Sequence, residues 1–88
     1  MNWKLYSFVI RSKKRKDILL SLEKVRTPTE IGNKVKTSVS HVSRTLSDFQ
    51  DKGIVECVTP EQKVGRVYRL TKNGKEILDY LKKERGKA

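Results

Sequence analysis

The chain has 88 residues, and 21 Lys and Arg against 10 Asp and Glu give it a formal charge of +11. That length makes one domain with a modest core, and 35% apolar with 35% charged residues leave little room for a second core or an enclosed ligand pocket. The charge surplus points to a polyanionic partner, nucleic acid ahead of anionic membrane, against the plainer alternative of a Lys-rich solubility surface.

Residues 2–10 place Leu5, Phe8 and Val9 on one face of a short predicted helix. A second stripe, Trp3, Tyr6 and Ile10, has no expected partner in so small a domain and points to a dimer. The apolar stretch Ser7-Phe8-Val9-Ile10 is far too short to span a bilayer. Met1-Asn2-Trp3-Lys4 lacks the pattern of a signal peptide, and the single Cys57 cannot form an internal disulfide. A cytoplasmic, chromosome-associated protein is expected.

Arg11 to Lys16 then holds five positive charges in six residues. Ser12 can cap a helix from about Lys13 to Lys24, with Ile18, Leu19 and Leu22 inward. Basic charges in that first turn oppose the helix dipole, and a nearby polyanion would offset the cost. Thr27-Pro28-Thr29-Glu30 combines an N-cap, a proline at the first helical position and a capping-box acid. This helix should run to about Val35, burying Ile31 and Val35. Lys36-Thr37 makes a tight turn into the next helix.

That next helix runs from about Ser38 to Lys52, with Ser38 as cap and Gly53 as stop. Val42, Leu46 and Phe49 form its apolar face. The opposite face carries Ser40, His41, Ser43, Arg44 and Ser47, small polar groups and one guanidinium. Such a face suits entry into a groove; an unpartnered Ser-rich amphipathic helix is the alternative. Arg44 and Lys52 against Asp48 and Asp51 leave this helix neutral, so the positive charge lies around it. Ile54–Thr59 and Arg66–Leu70 read as two strands of a hairpin, joined by the turn-rich Pro60–Gly65. Thr71 caps a last helix of about 72–85, with Ile77, Leu78 and Leu81 on one face and Tyr80 beside them. Gly86-Lys87-Ala88 reads as a frayed tail.

This order is mainly α with a small β-hairpin (α-α-α-α-β-β-α), that of a winged helix-turn-helix over a single domain, 1–88. Thr27-Pro28-Thr29-Glu30-Ile31, then Ser38 and His41-Val42-Ser43-Arg44-Thr45-Leu46, then Asp51-Lys52-Gly53-Ile54-Val55, resembles MarR/ArsR-type winged-helix transcriptional regulators. Arg66 to Glu76 is similar to that family's second wing strand running into its last helix. Within the superfamily the likeness is greatest to small archaeal winged-helix DNA-binding proteins. The resemblance implies double-stranded DNA binding by a transcriptional regulator. Surplus apolar surface, Trp3, Tyr6 and Ile10 at one end and Tyr80 and Leu81 at the other, makes 1–10 and 72–85 the expected dimerisation helices of a homodimer.

On this reading Ser38 starts a helix that enters the major groove. Ser40, His41, Ser43 and Arg44 reach base edges, with Val39 and Ser47 at the margins, and Arg44 is matched to guanine. Thr29 and Lys36 touch phosphates on either side. Lys63 and Arg66, on the hairpin tip, reach the adjacent minor groove or its backbone. One Cys and one His on different elements cannot make a four-ligand metal site, so no metal, cofactor or small-molecule effector is expected. No Gly-rich phosphate loop and no tuned carboxylate pair appear, so no enzyme is expected. An RNA-binding or ribosome-associated winged-helix module and a non-specific chromatin protein remain as alternatives.

Overall fold

The computed structural model of the chain describes residues 1–63 and 65–86. Val64 of the predicted loop and Lys87-Ala88 of the predicted tail lie outside these. Five helices and a two-stranded antiparallel hairpin follow in order: α1 (Trp3–Ile10), α2 (Lys13–Ser21), α3 (Pro28–Val35), α4 (Val39–Asp51), β1 (Val55–Cys57), β2 (Tyr68–Leu70) and α5 (Lys72–Gly86).

Each helix begins on a side chain that satisfies a free backbone N–H. Asn2 Oδ1 accepts from Lys4 and Leu5 at 3.1 and 3.2 Å, and Ser12 Oγ accepts from Arg15 at 3.3 Å. The capping box of α3 closes in both directions: Thr27 Oγ1 accepts from Glu30 N at 3.2 Å, and Glu30 Oε1 accepts from Thr27 N at 3.0 Å. Ser38 Oγ accepts from His41 N at 3.1 Å, and Thr71 Oγ1 from Gly74 N at 3.2 Å. At the far end of α4, Gly53 takes the left-handed conformation at φ 74°. Gly53 N donates to Gln50 O at 3.0 Å and Ile54 N to Phe49 O at 2.8 Å, the paired bonds of a Schellman stop. Its accompanying apolar contact is formed by Phe49 and Ile54, both fully buried.

The core takes one face from every element: Val9 of α1, Ile18 and Leu19 of α2, Ile31 of α3, Val42, Leu46 and Phe49 of α4, Val55 and Leu70 of the hairpin, and Ile77, Leu78 and Leu81 of α5. α2 is central and packs against α1, α3, α4 and α5. Register pairs Val55 with Leu70 and Cys57 with Tyr68, and Val58 N donating to Val67 O at 2.8 Å carries the ladder one step further.

Several expectations are corrected. α2 stops at Ser21 rather than Lys24, because the chain turns at Leu22 to enter the core. The strands are shorter than expected, and Arg66 lies in the loop rather than in β2. α5 runs through Gly86, which was read as tail. Arg26 exchanges backbone bonds with Tyr68, at 3.3 and 3.0 Å, and so adds a third edge to the hairpin.

The stripe expected to lack a partner has one in its own chain. The rings of Trp3, Tyr6 and Tyr80 meet edge to face at 5.0–5.7 Å between centroids and tie α1 to α5. Burial and the neighbouring Glu84 carboxylate push the Tyr6 hydroxyl above its usual pKa, and Glu84 does the same at Tyr80. Leu81 is a core residue, not surplus surface, whereas Trp3 and Ile10 remain 57% and 42% exposed.

The basic run is also partly internal. Lys14 Nζ donates to Val35 O at 3.2 Å and reaches Lys36 O at 3.5 Å, placing an ammonium on the C-terminal carbonyls of α3. Arg15 donates to Phe8 O at 3.0 Å, in the last turn of α1, and lies 4.0 Å from the Phe8 ring centroid. These two cations are compensated by other helices' C-termini, with no need of an outside polyanion.

Candidate nucleic-acid interface

The turn between α3 and α4 fixes how α4 is presented. Lys36 adopts the left-handed conformation (φ 58°, ψ 54°), so the chain reverses at a lysine rather than a glycine. Thr37 N donates to Gly32 O at 3.0 Å. The close approach needs Gly32, since a β-carbon there would stand 2.9 Å from the Thr37 carbonyl oxygen. With Val42, Thr45, Leu46 and Phe49 buried, α4 cannot roll about its axis.

The opposite side of α4 is open. Val39, Ser40, His41, Ser43, Arg44 and Ser47 are all exposed, and Ser38 caps the helix beside them. At 100° per residue they fall into three rows. Ser40, Arg44 and Ser47 point straight out, Val39 and Ser43 lean toward the hairpin, and His41 leans the other way with Asp48. Arg44 makes no ion pair or hydrogen bond among the described residues, and Asp48 one turn on does not engage it. Its guanidinium is available to a ligand.

A groove of about 530 Å³ runs between α4 and the hairpin loop. It gathers Thr29 from α3, Val39, Ser43 and Ser47 from α4, and Lys63 and Arg66 from the loop. Six of the eleven predicted site residues therefore share one concavity. Ser40, His41 and Arg44 lie beyond its rim, and Ser38 sits at the start of the helix. Arg66 Nε donates to Gln62 O at 2.5 Å, which props the loop while the rest of the fork stays exposed.

Lys36 is not part of this groove. It lines a separate hollow of about 400 Å³ with Lys34 and Lys82, where Asp17 and Glu23 also lie and Glu23 pairs with Lys82. Thr29 and Lys36 thus stand at opposite ends of α3, in separate hollows.

Reading the sequence missed Gln50, Thr27, Pro28 and Tyr68 as groove residues. Gln50 was within reach, since it lies three residues after Ser47 and seven after Ser43 on the same helical stripe. Tyr68 was not, because its place depends on the Arg26 bridge. No group of three or more His, Cys, Asp or Glu side chains that could hold a metal ion occurs among the described residues. None of their helices is long and apolar enough to cross a membrane.

Residues 3–85 match the family described as HVO_A0261 N-terminal domain. The chain belongs to that family. No curated protein matches it in sequence. Among solved structures, the MarR family transcription regulator SP03579 superposes with a TM-score of 0.71 at 27% identity, over 84% of this chain and 51% of that one. A ZitR mutant from Lactococcus lactis, solved in complex with DNA, superposes at 0.74 with 19% identity, over 86% and 53%. A mutant MarR from E. coli, complexed with operator DNA, superposes at 0.69 with 23% identity, over 88% and 60%. The chain spans about half to three-fifths of the length of these proteins. Its fold is the winged helix of MarR-like transcription regulators.

Proposed function

We propose that this winged helix binds double-stranded DNA sequence-specifically and serves a dimeric transcription regulator. The observation that carries this is a rigidly held helix whose small polar side chains, Ser43 and Ser47, share one groove with Lys63 and Arg66 of the loop, with the exposed Arg44 just beyond the rim. α4 lies in the major groove with Ser40, His41, Ser43 and Arg44 at base edges. Arg44 pairs with guanine O6 and N7. Thr29 and Lys36 take phosphates on the two sides of α4, and the loop holds the adjacent minor groove or its backbone. The fold shared with ZitR and MarR, both solved on DNA, supports this reading.

Two copies would join through the exposed edge of α1, where Trp3 and Ile10 stand out beside α5. Two-fold symmetry would set their α4 helices about 34 Å apart, one duplex turn. Sedimentation at high micromolar concentration, with and without duplex, should show the dimer; a monomer in both removes it.

Selection from random duplex, followed by competition with random duplex and tRNA, tests the function. One duplex sequence should win over both competitors. If a protomer neutralises about five phosphates, log affinity against log salt has a slope of roughly −4 to −5 per protomer. Equal capture by random duplex makes it a non-specific chromatin protein, and preference for tRNA makes it an RNA-binding module.

A further inference from the structure

We infer that Val39 recognises the 5-methyl group of a thymine, an inference that rests on the DNA-binding reading. Val39 is the first residue of α4, directly after the Ser38 cap, at the end of a recognition helix that comes nearest to base edges. It is 45% exposed and is the single large apolar side chain exposed on that helix. Its neighbours on the groove wall, Ser43 and Ser47, are small and polar.

Its position is fixed. Val39 Cγ2 lies 3.8 Å from where a β-carbon on Gly32 would stand, so one branch rests against the close approach of α3. A β-branched side chain in a helix has one strongly preferred rotamer. The side chain is therefore held from behind, with the remainder of its apolar surface turned to the groove.

Among the groups on the major-groove edges of the bases, the thymine C5-methyl is the one that projects a bulky apolar surface. Every other edge offers hydrogen-bond donors or acceptors, which an isopropyl group would cover without replacing their bonds to water. Val39 thus favours thymine by burying a methyl and disfavours other bases at that position by leaving a polar edge unpaired.

The test uses the selected duplex with each thymine replaced in turn by uracil, which deletes only the methyl. The unaltered protein should lose about four-fold in affinity at one position for each copy bound, the value of one buried methyl. Val39→Ala should bind the thymine duplex correspondingly more weakly and should no longer distinguish uracil there. Circular dichroism and a cooperative thermal unfolding transition confirm that the variant is folded. If Val39→Ala keeps the full thymine–uracil difference, another group reads the methyl and the inference is overturned. If no uracil replacement affects the unaltered protein, it is overturned without any variant. If no duplex sequence is selected at all, the DNA-binding reading falls and takes this inference with it.

Discussion

Lys36→Gly should move stability and DNA affinity in opposite directions. At φ 58° a lysine β-carbon crowds the following carbonyl, at a cost of about 1–2 kcal/mol. Glycine removes that strain but loses more backbone freedom on folding, roughly 0.5–1 kcal/mol. The side chain of Lys36 makes no hydrogen bond or ion pair among the described residues; only its backbone is engaged, the N–H donating to Gly32 O and the carbonyl accepting from Lys14. Removing it therefore breaks no internal contact. The balance is a gain of about 0.5–1 kcal/mol, a rise in Tm of about 2–8 °C for a domain of this size. On DNA the same change deletes one phosphate contact. Affinity should fall alike for selected and random duplex, and the salt slope should shrink by about 1. Lys36→Gln separates the effects, since it keeps the strained backbone and removes the charge. It should weaken binding without raising Tm. Thermal unfolding and fluorescence anisotropy at several salt concentrations measure both. A lower Tm for Lys36→Gly would refute the strain argument, and unchanged affinity in both variants would refute the phosphate assignment.

Arg44→Ala should lower affinity for the selected site by ~1–3 kcal/mol per half-site and relax preference at one base pair, as titration of single-base duplex variants would show; an unchanged ratio of specific to random affinity makes Arg44 a phosphate contact instead. Gly74→Ala should destabilise by about 2 kcal/mol or more in urea unfolding, because its β-carbon would fall 2.2 Å from the Ile54 carbonyl oxygen, a backbone atom that cannot swing away. The Thr27 backbone N–H, and then its hydroxyl, hold the Glu30 carboxyl below the ordinary value of 4.5, and the Lys82 ammonium does the same for Glu23. The unfolded chain therefore binds these protons more readily, so their contribution is complete above about pH 4.5 and is lost as pH falls through the lower native values. Urea unfolding across that range should show the decline, and Glu30→Gln should flatten its share of it.

The parts of this fold that were legible in the sequence are those decided by a few neighbouring residues. Thr27-Pro28-Thr29-Glu30, Ser38, Gly53 and Thr71 each mark a helix end through bonds spanning one turn, and each does so in the structure. The inward face of α4 was legible because Val42, Leu46 and Phe49 recur at helical spacing. What escaped depends on contacts distant in sequence. Arg26 meets Tyr68 through backbone atoms alone, and no side-chain pattern announces that bridge. Trp3 and Tyr6 seemed surplus because Tyr80 lies more than seventy residues away in the chain. The groove was legible by halves: its α4 wall followed from periodicity, but the separation of Lys36 from it depends on how α2 and α5 close around the end of α3.

The same distinction bears on the chain's positive charge. A tally of Lys and Arg treats every cation as available to a partner, yet Lys14 and Arg15 point into the protein and sit on the carbonyl ends of α3 and α1. Lys52 stays exposed, with its ammonium 4.6 Å from the Phe8 ring centroid. A helix C-terminus carries roughly half a negative charge, so the Lys14 and Arg15 contacts remove those two cations from the outward field while stabilising the helix ends. Cations that stay outward near α4 include Arg44, Lys36, Lys63 and Arg66, which stand on α4 itself, at the turn before it and on the loop beside it. Two consequences follow. The charge on the proposed binding side is smaller than the total of +11 implies, which favours a modest number of phosphate contacts. And Lys14, by bridging α2 to the carbonyls of Val35 and Lys36, ties the central helix to the turn that aims α4. On the proposed DNA-binding reading, the basic run at 11–16 would serve α4 by holding it in place, through a residue that need not touch the nucleic acid.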